Sequence, residues 1–357
     1  MSGVTFSNNL LESKALVLTD PDGLDRTACL RLDRNENTSP LPPPVTAAIS
    51  GYVNGEGCQW YPSDRPYAAD VAAYAGVPEA SVLLTNGSDQ GIDITLRAFL
   101  GGGGTLLTAV PEFLPFRRIS GILGARIAGI PYTEDFTFPY AEFRTAAAAE
   151  RPELIVFTNP NNPTGTPIDE EFIEEVLGLY REVPVIVDEA YHEFAGRTVA
   201  HLVGRYPNLI VLRTFSKAFA MAGLRLGYLL AHPDVVEQLG KLRNPFDVNQ
   251  LALVAARAHL ADPEAMREHV RETMTKVKPE VVGFFGDLGV PVVDGAANFL
   301  LVRPADLDTT VRRLRDAHVL VQPLHAPLVA GMFRLTLGSA EEMRRFMSVY
   351  GEIHREG

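Results

Sequence analysis

A single lysine stands inside the stretch Arg213–Arg225, read as RTFSKAFAMAGLR. Keeping an ammonium among small and apolar residues is costly, so Lys217 invites a chemical reading. Thr214 and Ser216 precede it, and Arg225 follows eight positions later. Such a set suits a lysine that condenses with an aldehyde to a Schiff base, with hydroxyls and a guanidinium to hold a phosphate. A solvated lysine on a surface loop accounts for this stretch alone equally well. Other polar groups bear on the choice: Ser88 in TNGSDQ, Asn162 in NPNNPTG, and Asp188 and Tyr191 in PVIVDEAY.

The elements around these residues bring them to one edge. Val82–Leu84 reads as a short buried strand, and Ile92, Leu96 and Phe99 then recur at helical spacing. Asn86, Gly87, Ser88 and Asp89 therefore sit at a strand-to-helix turn, where free amides and the positive end of the helix dipole suit a phosphate. An ordinary N-cap by Ser88 or Asp89 is the competing reading. Strands are expected at Thr105–Val110, Ala125–Ile130, Leu154–Thr158, Val185–Val187, Leu209–Leu212 and Gly227–Ala231, with helices between them. Continuous apolar runs such as LIVFT are those of parallel strands covered on both faces. Alternation of this kind gives a doubly wound sheet, whose ligands sit at the C-terminal ends of strands. Ser88, Asn162, Asp188, Tyr191 and Lys217 all fall just after strands. From about Phe246 a second α/β unit follows: helices over Leu251–Leu260 and Pro263–Leu288, a strand Asn298–Val302, a helix Asp306–Ala317, strands His318–Leu324 and Met332–Leu337, and a last helix Ala340–Ile353. The organisation expected is residues 1–52 as an arm and part of the small domain, 53–246 as the large domain, and 247–357 as the small C-terminal domain.

Bulk composition narrows the function. Of 357 residues 46% are hydrophobic and 21% charged, as in a soluble globular chain. The net charge of −12 argues against nucleic acid or an anionic membrane as partner. Cys29 and Cys58 make neither a disulfide framework nor a metal site, which fits a reduced cytoplasm. His192 and His325 read as polar side chains, not metal ligands. No signal-peptide pattern or bilayer-length apolar run is evident.

The motifs DRNENTSP, NGSDQ, NPNNPTG, DEAYHEF, RTFSKAFAMAGLRLGY, NFLLVR and FRLTLGS together resemble those of the fold type I pyridoxal 5'-phosphate enzymes. Among these, the chain is similar to the histidinol-phosphate aminotransferase branch of the class I and II aminotransferases, over about residues 30–350. The resemblance implies a large, mostly parallel sheet domain with a smaller C-terminal α/β domain. It implies that Lys217 holds the cofactor and moves the proton, that Asp188 pairs with the pyridine nitrogen, and that Asn162 and Tyr191 bond the ring oxygen. Gly87, Ser88, Asp89, Ser216 and Arg225 are then expected at the phosphate, Phe113 on the ring, and Tyr61 at the phosphate of a partner subunit in a homodimer. Arg334, with Asn298, is expected at the substrate α-carboxylate.

One departure bears on the substrate. Where the branch carries a Val-Arg-Pro triplet whose arginine helps bind the substrate phosphate, this chain reads Val321-Gln322-Pro323. Glutamine cannot replace a guanidinium against a dianion, so an unphosphorylated, bulky or aromatic amino acid is expected as donor, with a histidinol-phosphate-like amine as the alternative donor and a 2-oxo acid as acceptor. Transamination is the leading reading. Decarboxylation or oxygen-dependent oxidation on the same scaffold is the second, and a sensor domain without chemistry is the third.

Overall fold

The computed structural model describes residues 7–12, 24–55 and 57–356. A short strand β1 (Leu30–Arg31) precedes the large sheet, which is built from β2 (Val82–Thr85), β3 (Thr105–Val110), β4 (Arg126–Pro131), β5 (Leu154–Thr158), β6 (Val185–Asp188), β7 (Leu209–Thr214) and β8 (Gly227–Ala231). Their order is β2-β8-β7-β6-β5-β3-β4. Neighbours are parallel except around β8, which runs antiparallel to both β2 and β7.

Alternate side chains of the apolar strands enter opposite cores. Leu107, Ile155, Phe157, Val185, Val187, Leu209 and Val211 join one buried cluster with Phe143, Phe172, Ile173, Val176 and Leu253 from the helices on that face. Leu106, Leu154, Val156, Ile186, Ile210 and Leu212 join another with Ile92, Leu96, Leu100 and Phe116. Burial on both faces is why these strands read as continuous apolar runs and not as alternating ones. The cover is three-layered, and it leaves the strand ends, not the faces, open to a ligand.

The C-terminal part holds β9 (Val292–Asp294), β10 (Phe299–Val302), β11 (Val319–Leu320), β12 (Gln322–Pro323) and β13 (Phe333–Thr336). Four of these form an antiparallel sheet in the order β12-β13-β10-β9. The expected single strand His318–Leu324 is divided: β11 pairs in parallel with β1, whereas β12 pairs with β13. Leu30–Arg31 thus lies beside the C-terminal part, and Asp33, Arg34 and Asn35 run on from there to meet Arg334, Lys217 and Tyr191. The helix expected over Pro263–Leu288 is Glu264–Glu272 and Lys278–Asp287, joined by a π-helical turn at Thr273–Val277. The strand Val292–Asp294 had no counterpart in the sequence reading, its three residues being too few to carry a period.

Candidate active site

The antiparallel strand β8 explains how two distant segments come to share one cradle. Its first residue, Gly227, is in register with Thr85 at the end of β2 and with Thr214 at the end of β7. The turn Asn86–Asp89 and the stretch after Thr214 therefore emerge side by side. A Cβ on Gly227 would lie 2.4 Å from Ser88 N and 2.6 Å from the Gly87 carbonyl carbon, so only glycine permits this approach. Gly87 has φ +69 and opens the helix Gly87–Leu100. A Cβ there would lie 2.4 Å from an Arg225 guanidinium nitrogen. Arg225, itself left-handed at φ 55, donates to Ser216 Oγ and the Ala222 carbonyl, each at 3.1 Å, and to Asp89 Oδ2 at 3.1 Å. Helix amides without intrahelical acceptors, a hydroxyl and a guanidinium are thus gathered within one turn, the arrangement a phosphate dianion requires.

Lys217 follows directly. It is half-buried, and its Nζ donates to the Arg34 carbonyl at 2.9 Å and lies 5.8 Å from the Tyr191 ring centroid. Burial first, and the Arg334 charge second, bring its pKa down to about 8, so the free amine is accessible near neutrality. Asp188 closes β6 with 5% of its surface exposed and accepts one bond, from the Ala190 N–H at 3.1 Å. Burial pushes its carboxyl up to about 7. A buried carboxyl this poorly partnered suits a cationic N–H donor, which would return it to the ionised form.

Tyr191 is buried, and its hydroxyl accepts from Asn35 Nδ2 at 2.9 Å and from Asn162 Nδ2 at 3.2 Å. Burial raises the phenol pKa, against the opposing Arg334 charge. Arg334 on β13 donates NH1 to Asn162 Oδ1 at 2.6 Å and NH2 to the Asp33 carbonyl at 2.8 Å. Its Nε is buried with no hydrogen-bond partner, and so is the Oδ1 of the fully buried Asn298. Gln322 is in register directly across from Arg334, and its Nε2 donates to the Pro323 carbonyl at 3.0 Å. Phe113 caps the helix Leu114–Ile122 and packs partly against the core cluster beneath it.

Lys217, Asn162, Tyr191 and Arg334 are therefore drawn together, while Ser88, Asp89, Ser216 and Arg225 form the cradle beside them. Tyr61 stands apart: the residue is 79% exposed and its ring stacks on Phe246 at a centroid distance of 4.4 Å. Sequence reasoning assigned no role to Asp33, Arg34 and Asn35, whose two carbonyls and one side-chain amide meet Arg334, Lys217 and Tyr191 in turn. The motif DRNENTSP contained them, but carbonyl contacts leave no residue-type signal. Nor did it find the buried pair behind the site, where Arg213 Nε donates to Glu189 Oε2 at 2.9 Å. Among the described residues no cluster of His, Cys, Asp or Glu could hold a metal ion, and no helix is long and apolar enough to cross a membrane.

The family model "Aminotransferase class I and II" matches residues 28–349. A histidinol-phosphate aminotransferase of Desulfitobacterium hafniense is 34% identical over 333 residues, covering 91% of this chain and 92% of that protein. Histidinol-phosphate aminotransferase 1 of Carboxydothermus hydrogenoformans is also 34% identical, covering 91% and 93%. In fold, the chain is similar to the crystal structure of a histidinol-phosphate aminotransferase from Sinorhizobium meliloti in complex with pyridoxal-5'-phosphate, with a TM-score of 0.87, 24% identity and 98% of each chain covered.

Proposed function

This chain belongs to the class I and II aminotransferase family, and from that premise we propose how its pocket is used and which substrate it takes. It is a pyridoxal-phosphate-dependent aminotransferase. When bound, that cofactor supplies an aldehyde that traps an amine and a ring that accepts the electrons freed at Cα. The residues fit it. Lys217 Nζ would hold the cofactor through its aldehyde and, as the free amine, would be the base that takes up and returns the proton. Asp188 would pair with the pyridine nitrogen and favour its protonated form. Asn162 and Tyr191 would hold the ring through its oxygen, and Phe113 would pack on it. The Ser88 and Asp89 amides, Ser216 and Arg225 hold the phosphate, with Gly87 leaving room for the guanidinium. The observation that carries this reading is the convergence of a lysine of lowered pKa, a buried carboxyl and a helix-terminal anion cradle at the ends of β2, β6 and β7.

The substrate side is built around one guanidinium. Arg334 binds the α-carboxylate, its buried Nε still without a hydrogen-bond partner; the Nδ2 of Asn298 is the donor that residue could offer beside it. Across from it Gln322 is uncharged, where an arginine would add the second fork that a phosphate needs. The donor is therefore an unphosphorylated amino acid, bulky or aromatic, and not histidinol phosphate; the acceptor is a 2-oxo acid. Comparison of kcat/KM for histidinol phosphate and for free aromatic and aliphatic amino acids tests this. Histidinol phosphate as much the best donor would overturn it.

Two copies complete the site. Trp60, Tyr61 and Phe246 form an exposed aromatic patch, and a second copy covers it, so that Tyr61 reaches the partner's phosphate. Cys29 and Cys58 are free thiols, which supports a cytoplasmic setting.

A further inference from the structure

Two side-chain amides meet the Tyr191 hydroxyl, and each is oriented from its far side. Arg334 can only donate, so the Asn162 atom 2.6 Å from its NH1 is the oxygen, and the amide nitrogen faces Tyr191 at 3.2 Å. At Asn35 the fixing group is Thr336. Its hydroxyl oxygen accepts the Asn35 backbone N–H at 2.9 Å, and its one proton goes to Asn35 Oδ1 at 3.1 Å. Asn35 Nδ2 is thereby turned to Tyr191 at 2.9 Å. Asn35 is 1% exposed and Thr336 fully buried, so water does not compete for these bonds. Asn35 also has φ 53, a backbone conformation that asparagine tolerates better than most residues. Thr336 and Arg334 lie two residues apart on β13, so the two fixing groups share one face of one strand.

A phenol oxygen that accepts two N–H bonds must send its own proton elsewhere. We propose that Asn35, locked by Thr336, is a positioning residue that forces Tyr191 to donate toward the cofactor's ring oxygen and strengthens that donation. The strengthening follows because N–H bonds favour the phenolate-like oxygen and so make the phenol the more acidic donor. This inference rests on the reading above, in which Tyr191 faces the cofactor ring. The charged and titratable groups facing Tyr191 are Arg334 from β13, Asp188 from the end of β6 and Lys217 from the segment after β7. None of them is altered by a change at Asn35 or Thr336.

The test uses the cofactor-loaded enzyme without substrate and reads the pH midpoint of its visible absorbance band. A weaker donor at the ring oxygen raises the proton affinity of the Schiff-base nitrogen beside it. One neutral hydrogen bond corresponds to a shift of about half a unit to one unit. Asn35→Ala and Thr336→Val are expected to raise the midpoint by about that much, and Thr336→Ser to leave it at the wild-type value. Thr336→Val serves where Asn35→Ala does not fold. Tyr191→Phe is run alongside. If Tyr191→Phe raises the midpoint while Asn35→Ala and Thr336→Val leave it unchanged, the present inference is overturned and the cofactor reading stands. If Tyr191→Phe also leaves it unchanged, the cofactor reading falls with it.

Discussion

Asp188→Asn separates what this carboxyl does for the cofactor from what it does to the fold. The side chain is 5% exposed and accepts one hydrogen bond, from Ala190. Burial raises its pKa from 3.8 to about 7. Between those values the folded cofactor-free protein binds more protons at this position than the unfolded chain does. Stability therefore falls as pH rises through that window, with a slope of about 1.4 kcal/mol per pH unit, accumulating to roughly 4 kcal/mol by neutrality. Asparagine has no such slope. With the cofactor loaded the pull is opposite, because a cationic pyridine nitrogen would stabilise the carboxylate by about 1.5–3 kcal/mol and offset part of that cost, which asparagine forfeits. Urea unfolding of the cofactor-stripped protein at half-unit steps from pH 5 to 8 reads the first effect, and cofactor titration at pH 8 reads the second. The variant is expected to gain stability relative to wild type with rising pH while its cofactor affinity falls about 10- to 100-fold. Parallel stability curves across that range would refute the argument that Asp188 carries an uncompensated burial cost.

Gly227→Ala brings a Cβ within 3 Å of Ser88 N, the Gly87 carbonyl carbon and the Arg213 carbonyl oxygen. Backbone on three sides cannot give way cheaply, so a loss of about 1–3 kcal/mol in stability is expected, together with at least a tenfold loss of affinity for pyridoxal phosphate by equilibrium dialysis. Arg213→Met leaves the 1%-exposed Glu189 without its cation. A cost of about 3–5 kcal/mol in urea unfolding follows, smaller in the double variant Glu189→Gln, Arg213→Met. Arg334→Met is expected to lower kcat/KM for the amino donor about a hundredfold, while the cofactor stays bound.

Much of the fold was legible because both-face burial writes itself into sequence as uninterrupted apolar runs. The strands ending at Asp188 and Thr214 are of this kind, buried along their whole length. Shorter or divided elements were not legible. His318–Leu324 looks like one strand, yet Val321 separates residues that pair with two different neighbours. The antiparallel direction of β8 has no local signature, although it is what seats Gly227 between Thr85 and Thr214. At the candidate site, side chains with a distinctive chemistry, such as Lys217 and Arg334, draw attention in the sequence. Groups that act through a backbone carbonyl, such as Asp33 and Arg34, do not. Asn35 meets Tyr191 across 156 positions and Thr336 across 301. Only the folded chain brings that network together.

The central claim is that this pocket moves an amino group through pyridoxal phosphate held on Lys217. The measurement closest to it is the absorbance spectrum of the purified protein with pyridoxal phosphate, before and after single amino acids are added without oxygen. Loss of the visible band and growth of the pyridoxamine phosphate band with a free amino acid, neither seen in Lys217→Ala, is the result predicted here. No visible band with added pyridoxal phosphate, or a band that no amino donor converts, would contradict it.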